Sequence, residues 1–497
     1  MKYLIIYLFL LLSVNVYSQF SLMFNDTLKP FGPGGYDFAC IAQDDSFYYA
    51  VGGVNNNQPL WDNMIVKFDK SFNVVKKRKF IDTIWYNANY PYNTISVTDK
   101  KLVFCTQQSK NQMSIIYGKI IALNKHTLDT LWTKVIEHPD TAYVNLPNAV
   151  VFSDLTAIKQ TPDGGYILTG NYNLQCSGAN LRSFLLKIDS VGNVQWRRTY
   201  NQYYTFFDIE VASDSGYFVP CTINGSSLIL VKFDKNGLYQ WKTIVNPNTN
   251  PSYPMDVTLY ANYAIVSSVF WYDISNSLRA ITVAKVDINN HNTIWKKNYY
   301  LYRTVECIGL HQAMGVETLL DGSIIVNGTV EKYGVDKSAF ILKLNSNGDS
   351  LWTKTYNFST SSTAQGQLND LMLADDGGFI GVGYFYNFST SSAAWMFKTD
   401  KNGVVGWESP KAKAQSEKCK VWPNPASNYT TLSFSKPVIK DSKLIIFNSL
   451  GQKVKTISLQ KQQQKIEVSL QGFKAGVYYF ELRTNNKIIG TGKFIKE

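Results

Sequence analysis

The chain has few of the side chains that most often carry enzyme chemistry. Of its 497 residues only four are His and six are Cys, and the cysteines form no CxxC pair and no zinc-binding spacing. The GxSxG elbow, the HExxH motif and the phosphate-binding P-loop are missing. Asp and Asn turns resemble fragments of calcium loops, but none completes the loop pattern. The sequence therefore predicts no catalytic residue, no metal site and no cofactor.

Long apolar runs are also lacking, apart from one at the N-terminus. Lys2 is followed by an apolar stretch over Tyr3–Leu12, which is too short for a membrane span of about 20 residues. One positive charge, a short apolar stretch and small residues near a cut site are typical of a secretory signal peptide. We predict a signal peptide over residues 1–18, cleavage after Ser18, an exported chain and no transmembrane span. Because the first Cys is Cys40, no lipoprotein attachment site follows the apolar stretch.

The scattered cysteines leave the disulfide question open. An exported chain can form disulfides, but the pairing cannot be read from this sequence, and we expect most of the cysteines to be isolated buried thiols. The six are Cys40, Cys105, Cys176, Cys221, Cys307 and Cys419.

An excess of positive charge is lacking except near the C-terminus. The formal net charge is +12, but residues 411–497 hold 16 Lys and Arg against 5 Asp and Glu, which gives +11. The remaining 33 basic and 32 acidic residues give +1. A nucleic-acid-binding protein is expected to concentrate its positive charge on its binding domain. We therefore predict no nucleic-acid partner.

What the chain does have is aromatic residues and a repeat. It contains 32 Tyr and 28 Phe, and turn residues are plentiful whereas helical periodicity is absent, which is typical of an all-β protein. The clearest copy reads TPDGGYILTG at Thr161–Gly170 and FLLKIDSVGNVQWRRTY at Phe184–Tyr200. Each half is two short strands about a turn that contains glycine. Each copy therefore predicts four antiparallel strands, named A to D.

The copies recur at a regular period. From Lys67 to Lys398 the repeat advances 331 residues in six steps, or about 55 residues a copy. Four-stranded units at such a period predict a β-propeller, because one sheet alone cannot bury both of its faces. We predict a seven-bladed β-propeller over residues 19–407. The β-like segment Phe20–Phe24 is expected to pair into the last blade and close the ring.

Two residue types mark the C and D strands of most copies. A Lys-x-Asp pattern on strand C occurs in seven near-copies, which favours a structural role because one active site does not need seven equivalents. The lysine stem is expected to cover apolar surface while its charge meets a carboxylate. The recurring Trp, as in Trp196, lies on the outermost strand and is expected to pack against a neighbouring blade.

The turn between strands C and D carries a family resemblance. Its [Asp/Asn]-x-x-Gly-x-x-x-Trp pattern, as at Asp189 and Trp196, resembles the quinoprotein and kelch-like repeats of β-propellers, in particular those of pyrroloquinoline-quinone dehydrogenases, and more loosely the Asp-box of sialidases. The quinoprotein family uses adjacent cysteines beside its cofactor, and this chain has none. The resemblance therefore implies a propeller fold and no activity.

Loop length indicates which face of the propeller binds a ligand. The A–B and C–D turns are tight, whereas all long insertions fall in the B–C and D–A connections, which share the opposite face. These insertions are rich in aromatic residues, which suit stacking on sugars or anchoring a protein. We predict binding of an extracellular glycan or protein at this face, carried by Trp85, Tyr86, Tyr203, Tyr204, Trp271, Tyr272, Tyr300 and Tyr302.

Two other functions stay open at this point. An extracellular hydrolase or lyase built on the propeller would need clustered acids or His on the long-loop face, where His138, His311 and Glu306 are the candidates. A purely structural surface protein would show no discrete site there. No sequence signature of an enzyme supports the first alternative.

The composition changes after Trp407. Residues 408–418 are polar and Lys-rich and indicate a linker, and residues 419–497 then show about seven short strands with intervening turns. This pattern predicts a small Ig-like β-sandwich.

Motifs in this last segment resemble the type A sorting domain of type IX secretion substrates. They are Pro423-Asn424-Pro425, Asn448-x-x-Gly451-Gln452, Leu470 with Gly476-x-Tyr478, and the closing Lys493-Phe494-Ile495-Lys496. The resemblance implies a Bacteroidota-type host, export through the periplasm, and secretion or display on the outer cell surface. It also implies two partners, the type IX machinery and its sortase. The motif residues would serve sorting and structure rather than catalysis.

Overall fold

The computed structural model describes residues 24–28, 34–55, 61–81, 86–88, 94–110, 115–139, 151–173, 181–200, 205–223, 226–247, 252–273, 278–301, 304–305, 315–332, 336–356, 364–387, 390–405, 420–434, 437–438, 442–448, 453–484 and 487–497. The chain divides into two compact units, residues 1–407 and 408–497. In the described ranges both units consist of β-strands and turns, without a helix. The chain is therefore all-β. The predicted signal peptide and the linker lie outside these ranges.

The first unit begins with one strand that stands alone in sequence and continues with a group of four strands and a group of five. The strands are β1 (Phe24–Leu28), β2 (Gly35–Gln43), β3 (Phe47–Asn55), β4 (Asp62–Asp69), β5 (Val74–Phe80), β6 (Tyr86–Ala88), β7 (Ile95–Val97), β8 (Lys101–Lys110), β9 (Ile115–Asn124) and β10 (Thr130–Ile136).

The middle of the unit continues the same antiparallel order. Its strands are β11 (Val151–Gln160), β12 (Tyr166–Asn173), β13 (Leu181–Ile188), β14 (Val194–Tyr200), β15 (Glu210–Val211), β16 (Tyr217–Ile223), β17 (Ser227–Phe233), β18 (Tyr239–Asn246), β19 (Ser252–Tyr260), β20 (Tyr263–Asp273), β21 (Leu278–Asp287) and β22 (Asn292–Tyr299).

The last part of the unit ends with a group of three strands, β28–β30, rather than four. Its strands are β23 (Thr304–Val305), β24 (Val316–Thr318), β25 (Ile324–Lys332), β26 (Asp336–Leu344), β27 (Ser350–Tyr356), β28 (Ala364–Leu373), β29 (Phe379–Asn387) and β30 (Thr390–Lys398).

These strands form meandering antiparallel sheets in the order β2-β3-β4-β5, β15-β16-β17-β18 and β19-β20-β21-β22. A further sheet runs β23-β25-β26-β27, with β24 also paired to β25. Strands β6–β14 form one nine-stranded sheet, because β9 and β11 pair in parallel over three residues, Val151–Ser153 on Ile115–Tyr117. Without that short contact it is two more meanders of the same kind.

The last sheet is completed by the beginning of the chain. Its order is β1-β30-β29-β28, and Phe24 lies opposite Lys398 in the register. The predicted closing segment, Phe20–Phe24, thus lies about four residues too early, since the paired strand is Phe24–Leu28. In four of the other sheets a Trp lies opposite the equivalent lysine, as Trp196 lies opposite Lys187. Trp407, which the repeat predicts for this place, lies outside the described residues.

Apolar side chains join each sheet to its two neighbours. On β13, Phe184 and Leu186 pack toward β8 and β9, whereas Leu185, on the other face, packs toward β16 and β17. The first and last sheets share a cluster as well, in which Phe38 on β2 meets Met396 on β30. Since every sheet packs against the next and the last packs against the first, the sheets form a closed ring. This arrangement is a β-propeller.

The recurring lysine binds a carboxylate, but not the one in its own Lys-x-Asp pattern. Lys187 Nζ lies 2.9 Å from an oxygen of Asp163 in the A–B turn. Asp189 instead accepts hydrogen bonds from the backbone N–H groups of Val191 and Asn193, which holds its own C–D turn. Lys187 therefore joins strand C to the A–B turn, whereas Asp189 stabilises its own C–D turn.

The recurring tryptophan packs on the C–D turn of the next repeat, as predicted. A Cβ atom built on Gly237 would lie 2.8 Å from the Trp196 ring, and Trp295 and Gly348 have the same relation at 2.9 Å. Where the turn has no glycine, His291 takes the left-handed conformation, with φ of 59°, and stacks on Trp241. The tryptophan and the turn therefore form one joint between repeats.

The second unit contains two sheets. Its strands are β31 (Lys420–Trp422), β32 (Tyr429–Ser433), β33 (Ser442–Phe447), β34 (Lys453–Leu459), β35 (Lys465–Ser469), β36 (Gly476–Thr484) and β37 (Lys487–Lys496). The sheet orders are β31-β32-β35 and β34-β33-β36-β37. Both sheets contribute to one apolar core, in which Leu432 and Val468 of the first meet Leu444 and Phe480 of the second.

Candidate functional site

Two of the predicted ligand-binding residues form an exposed aromatic pair. Tyr272 lies near the end of β20 and Tyr300 directly follows β22, so both lie on the long-connection edge of one sheet. Their ring centroids are 5.1 Å apart in an edge-to-face arrangement. Tyr272 is 37% exposed and Tyr300 is 59% exposed. The pair therefore presents apolar faces and hydroxyl groups to solvent together.

A second aromatic group lies on the same edge. Trp271 packs against Tyr253, with 5.1 Å between ring centroids. The guanidinium carbon of Arg279, which lies opposite Trp271 in the strand register, is 4.5 Å from the Trp271 ring. The Arg279 Nε atom is buried and has no hydrogen-bond partner. Cation–π packing thus fixes an arginine whose donor capacity is not fully used.

Trp271 and Tyr272 belong to a strand rather than to a loop. The sequence places an insertion over Phe270–Leu278, but β20 continues to Asp273 and β21 begins at Leu278. The strand register shifts between Trp271 and Asp273, so Tyr272 is the extra residue of a bulge. The two aromatic residues have different ring partners, Tyr253 for Trp271 and Tyr300 for Tyr272.

Of the five other residues predicted for this face, one lies within the described residues. Tyr86 lies on β6, opposite Ser109 of β8, which corrects its prediction as a loop residue. The remaining four lie outside the described residues, namely Trp85, Tyr203, Tyr204 and Tyr302.

Charged residues on the inner strands are a feature that the sequence does not reveal. The first strands of successive sheets lie side by side, so they surround the axis of the ring. Lys159 on β11 forms a 2.9 Å ion pair with Glu210 on β15. Three carboxylates tie one inner strand to the next. Asp208 accepts from the Val257 N–H at 3.1 Å, Asp256 from the Val316 N–H at 2.7 Å, and Asp370 from the Ile41 N–H at 2.8 Å.

Crowding of these groups shifts their protonation. Desolvation raises the pKa of Asp370 to about 6, and desolvation together with nearby carboxylates raises the pKa of Glu317 to about 7. Desolvation and the neighbouring Asp208 also raise the pKa of Asp256. Burial opposes the charge of Lys159, but Glu210 and the other carboxylates hold its pKa above its ordinary value.

We expect the free energy of unfolding to fall as the pH rises from about 4 to about 7. An acid whose folded-state pKa is raised contributes fully to stability below its unfolded pKa, 3.8 for Asp370, and has lost that contribution once the pH exceeds its folded pKa of about 6. Two pKa units correspond to at most about 3 kcal/mol. Urea unfolding at pH values of about 4, 5.5 and 7 measures the slope, and Asp370→Asn is expected to reduce it. An equal slope in the variant would contradict the assignment.

The His residue predicted near a possible catalytic site is a packing residue. His138 is buried, and its ring meets the Tyr172 ring edge-on at 5.2 Å between centroids. The proposed partners His311 and Glu306 lie outside the described residues. Among the residues the structure describes, no group of three or more His, Cys, Asp or Glu side chains is arranged to hold a metal ion.

The cysteines within the described ranges are unpaired thiols. Cys40, Cys105 and Cys221 are buried and free, and the Cys40 Sγ atom donates to Asp370 at 3.1 Å. Desolvation raises the pKa of all three thiols. Their isolation matches the expectation from their spacing. The other three cysteines lie outside these ranges.

The predicted sorting motifs meet at one end of the second unit. Asn424 Oδ1 accepts a 2.8 Å hydrogen bond from the backbone N–H of Ile495, which is 71 positions away in the chain. The N–H of Ala426 donates to the Ile495 carbonyl at 2.9 Å. Tyr478 stacks on Phe494 with 5.6 Å between ring centroids. The Pro-Asn-Pro segment, strand β36 and the closing strand β37 are therefore parts of one assembly.

Surface residues accompany this assembly. Lys493 is exposed, Trp422 beside Pro423 is 75% exposed, and Ile495 is 42% exposed. Gly476 begins β36. Gly451 and Gln452, the remaining predicted motif residues, lie outside the described part of the chain.

Residues 420–497 match the family model of the secretion system C-terminal sorting domain. The match agrees with the resemblance to type IX secretion substrates that the motifs indicate. A sorting domain at this place indicates export, with delivery to the cell surface or secretion, and it implies contact with the secretion machinery. In the described part of the chain, no helix is long and apolar enough to cross a membrane.

Comparisons of the whole chain cover curated proteins and solved structures. No curated protein matches the sequence. Among solved structures, a protein of unknown function from Dyadobacter fermentans is 10% identical, with 62% of this chain and 96% of that chain covered and a TM-score of 0.40. One from Bacteroides caccae is 11% identical, covers 63% and 94%, and has a TM-score of 0.35. The β-propeller domain of the Trilobed protease from Pyrococcus furiosus is 9% identical, covers 76% and 98%, and has a TM-score of 0.39.

Proposed function

We propose that the chain is an exported, seven-bladed β-propeller that binds a glycan or a protein outside the cell. In this proposal residues 1–18 are a signal peptide, residues 19–407 the propeller, residues 408–418 a linker, and residues 419–497 an Ig-like sorting domain. The chain passes through the periplasm of a Bacteroidota-type cell and meets the type IX machinery and its sortase. The mature protein is then secreted or displayed on the outer surface.

The sheet order supports seven blades. Four sheets are separate meanders, and the nine-stranded sheet contains two more, joined only by the parallel contact of β9 and β11. The sheet that β1 completes is the seventh. The period of about 55 residues in the sequence leads to the same number.

The exposed tyrosine pair is the observation that carries the binding proposal. Tyr272 and Tyr300 are large and exposed, and they lie in contact on the edge from which the long connections leave. Aromatic rings with a polar end are enriched where proteins bind sugars or other proteins, because they bury large areas and order few torsions. Arg279, held against Trp271, adds a positive charge at the same edge.

Catalysis and a purely structural role receive less support. The described carboxylates that cluster lie on the inner strands and accept backbone hydrogen bonds from the next sheet, so their arrangement serves ring closure. A structural protein would have no reason to keep Tyr300 59% exposed beside a second exposed tyrosine. We therefore propose a binding protein rather than a hydrolase or a lyase.

Glycan-array binding by the full mature chain tests the proposal. We expect discrete binding that falls at least tenfold when Tyr272→Ala and Tyr300→Ala are combined. The matched control is Tyr239→Ala, because Tyr239 is 47% exposed at the start of β18, on the tight-turn edge, and its loss is expected to leave binding unchanged. An array without binding would contradict the glycan form of the proposal and leave a protein ligand. Equal loss in the control would contradict the location.

A further inference from the structure

Arg279 differs from other arginines of the propeller that lie over aromatic rings. Its guanidinium carbon is 4.5 Å from the Trp271 ring, and three further arginines pack in the same way. Each of those three also donates to a backbone carbonyl, namely Arg78 to Leu128, Arg197 to Glu137 and Arg198 to Asn236. Among the residues that the structure describes, no carbonyl or carboxylate lies within bonding distance of the Arg279 guanidinium.

The donors of Arg279 are partly open to solvent. The side chain is partly exposed, and Nε is the one guanidinium nitrogen that is buried without a partner. The two terminal nitrogens are therefore accessible. A partly buried cation without an acceptor is costly, so the arrangement favours an anion that comes from outside the chain.

The adjacent part of the chain does not supply this anion. Residues 274–277, which connect β20 to β21, read Ile-Ser-Asn-Ser and contain no acid. Asp273 lies opposite Leu278 in the register, beside Arg279, but it interacts with other residues. Within the described ranges, the positive charge of Arg279 is therefore not balanced by an ion pair.

Arg279 lies beside the exposed tyrosine pair. It is opposite Trp271 in the register, and Tyr272 follows Trp271 as the extra residue of the bulge. Neighbouring strands are about 4.8 Å apart, so the backbones of Arg279 and Tyr272 lie next to each other. Tyr300 joins them through its ring contact with Tyr272. A cation and two exposed aromatic rings thus lie at one place on the long-connection edge.

The surroundings of this place favour a sugar over a protein surface. In the sheets β19–β22 and β23–β27, the exposed aliphatic side chains of the described residues lie at the tight-turn edge, namely Ile294, Leu320 and Leu351. The long-connection edge has exposed tyrosines instead. The centre of a protein interface is usually apolar, whereas tyrosine rings suit the faces of sugars and a planar guanidinium suits a carboxylate.

We propose that the ligand of this edge is an acidic glycan, and that the carboxylate of a uronic or sialic acid residue binds Arg279. The sugar ring lies against Tyr272 and Tyr300, and the terminal nitrogens of Arg279 donate to the carboxylate. This inference rests on the proposed function and names the ligand class of the same site.

A glycan array that presents each acidic glycan beside its methyl ester tests the ligand class. The full mature chain is the probe, and the esters keep the sugar rings but remove the negative charge. We expect the acids to bind about tenfold more tightly than their esters, because a hydrogen bond to a charged group contributes about this much. Since salt screens such contacts, we expect the preference to fall in about 1 M salt.

Substitution of the arginine tests its role. Arg279→Gln is expected to lower binding of the acids to the level of their esters and to leave ester binding unchanged. Arg198→Gln is the matched control, because Arg198 also lies over a Trp ring but already donates to the Asn236 carbonyl, and it is expected to keep the preference. Arg279→Lys, which keeps the charge but not the planar fork, is expected to keep part of it.

The outcomes separate this inference from the proposed function. Equal binding of acids and esters by the unmodified chain would overturn the inference and leave glycan binding intact, and this comparison decides even if Arg279→Gln does not fold. A preference that a folded Arg279→Gln variant keeps, or that Arg198→Gln loses equally, would overturn the assignment to Arg279. An array on which no glycan binds would contradict glycan binding itself and the inference with it.

Discussion

Gly237→Ala is expected to lower the free energy of unfolding of the propeller by about 2–5 kcal/mol. Gly237 has φ of 76°, and a non-glycine residue in this left-handed region costs about 1–2 kcal/mol. The new Cβ atom would also lie 2.8 Å from the Trp196 ring, and overpacking of a fixed ring costs about 1–3 kcal/mol. The Tyr200 hydroxyl donates to the Gly237 carbonyl at 2.5 Å, and this hydrogen bond limits how far the turn can move away from the ring.

Gly164→Ala separates these two costs. Gly164 has φ of 78°, but no heavy atom lies within 4 Å of its added Cβ. We expect this variant to cost only the backbone strain. Urea unfolding followed by tryptophan fluorescence measures both variants. In a Trp196→Leu background the Gly237→Ala cost is expected to fall to that of Gly164→Ala, and an unchanged cost would show that the ring does not limit the turn.

The sequence predicts this joint in outline because both partners recur at a fixed spacing. Trp196 and Gly237 belong to neighbouring copies, and any ring of repeats brings neighbouring copies together. The partner of the lysine is less accessible to prediction. Asp189 is nearer in sequence to Lys187 than Asp163 is, but a turn aspartate satisfies its own backbone N–H groups first, as Asp189 does.

Other features depend on distances that no local pattern encodes. The inner carboxylates Asp208, Asp256 and Asp370 each bond to the strand of the following repeat, and single aspartates in apolar strands carry no sign of such a partner. For the aromatic residues of the long-connection edge, the sequence predicts which residues lie there but not which of them are in contact. The sequence placed Trp271 and Tyr272 in a loop, since it could not show that β20 and β21 extend beyond the repeat pattern.

The first two repeats show the opposite case, where the sequence departs from the repeat but the strand register is needed to locate the departure. Ala122 stands where a lysine is expected, and Phe47 stands where a glycine is expected. Only strand pairing shows that these positions are equivalent.

Phe494→Ala is expected to reduce export of the chain at least tenfold, whereas Ile495→Ala is expected to leave export unchanged. Phe494 is fully buried and stacks on Tyr478. Removal of a buried Phe side chain costs about 3–5 kcal/mol, which approaches the whole stability of many small domains. The variant sorting domain would be largely unfolded, and the Asn424–Ile495 contact that joins its motifs would be lost.

Ile495→Ala is the matched control, because the neighbouring residue points away from the core. Its side chain is 42% exposed, and the backbone N–H that Asn424 accepts is kept. Immunoblots of the medium, the cell surface and the cell interior in a host with type IX secretion measure both variants. Export of Phe494→Ala at the wild-type level would show that the machinery reads a linear segment rather than the folded assembly. Loss of export in a folded Ile495→Ala variant would instead place recognition on the exposed surface that includes the Ile495 side chain.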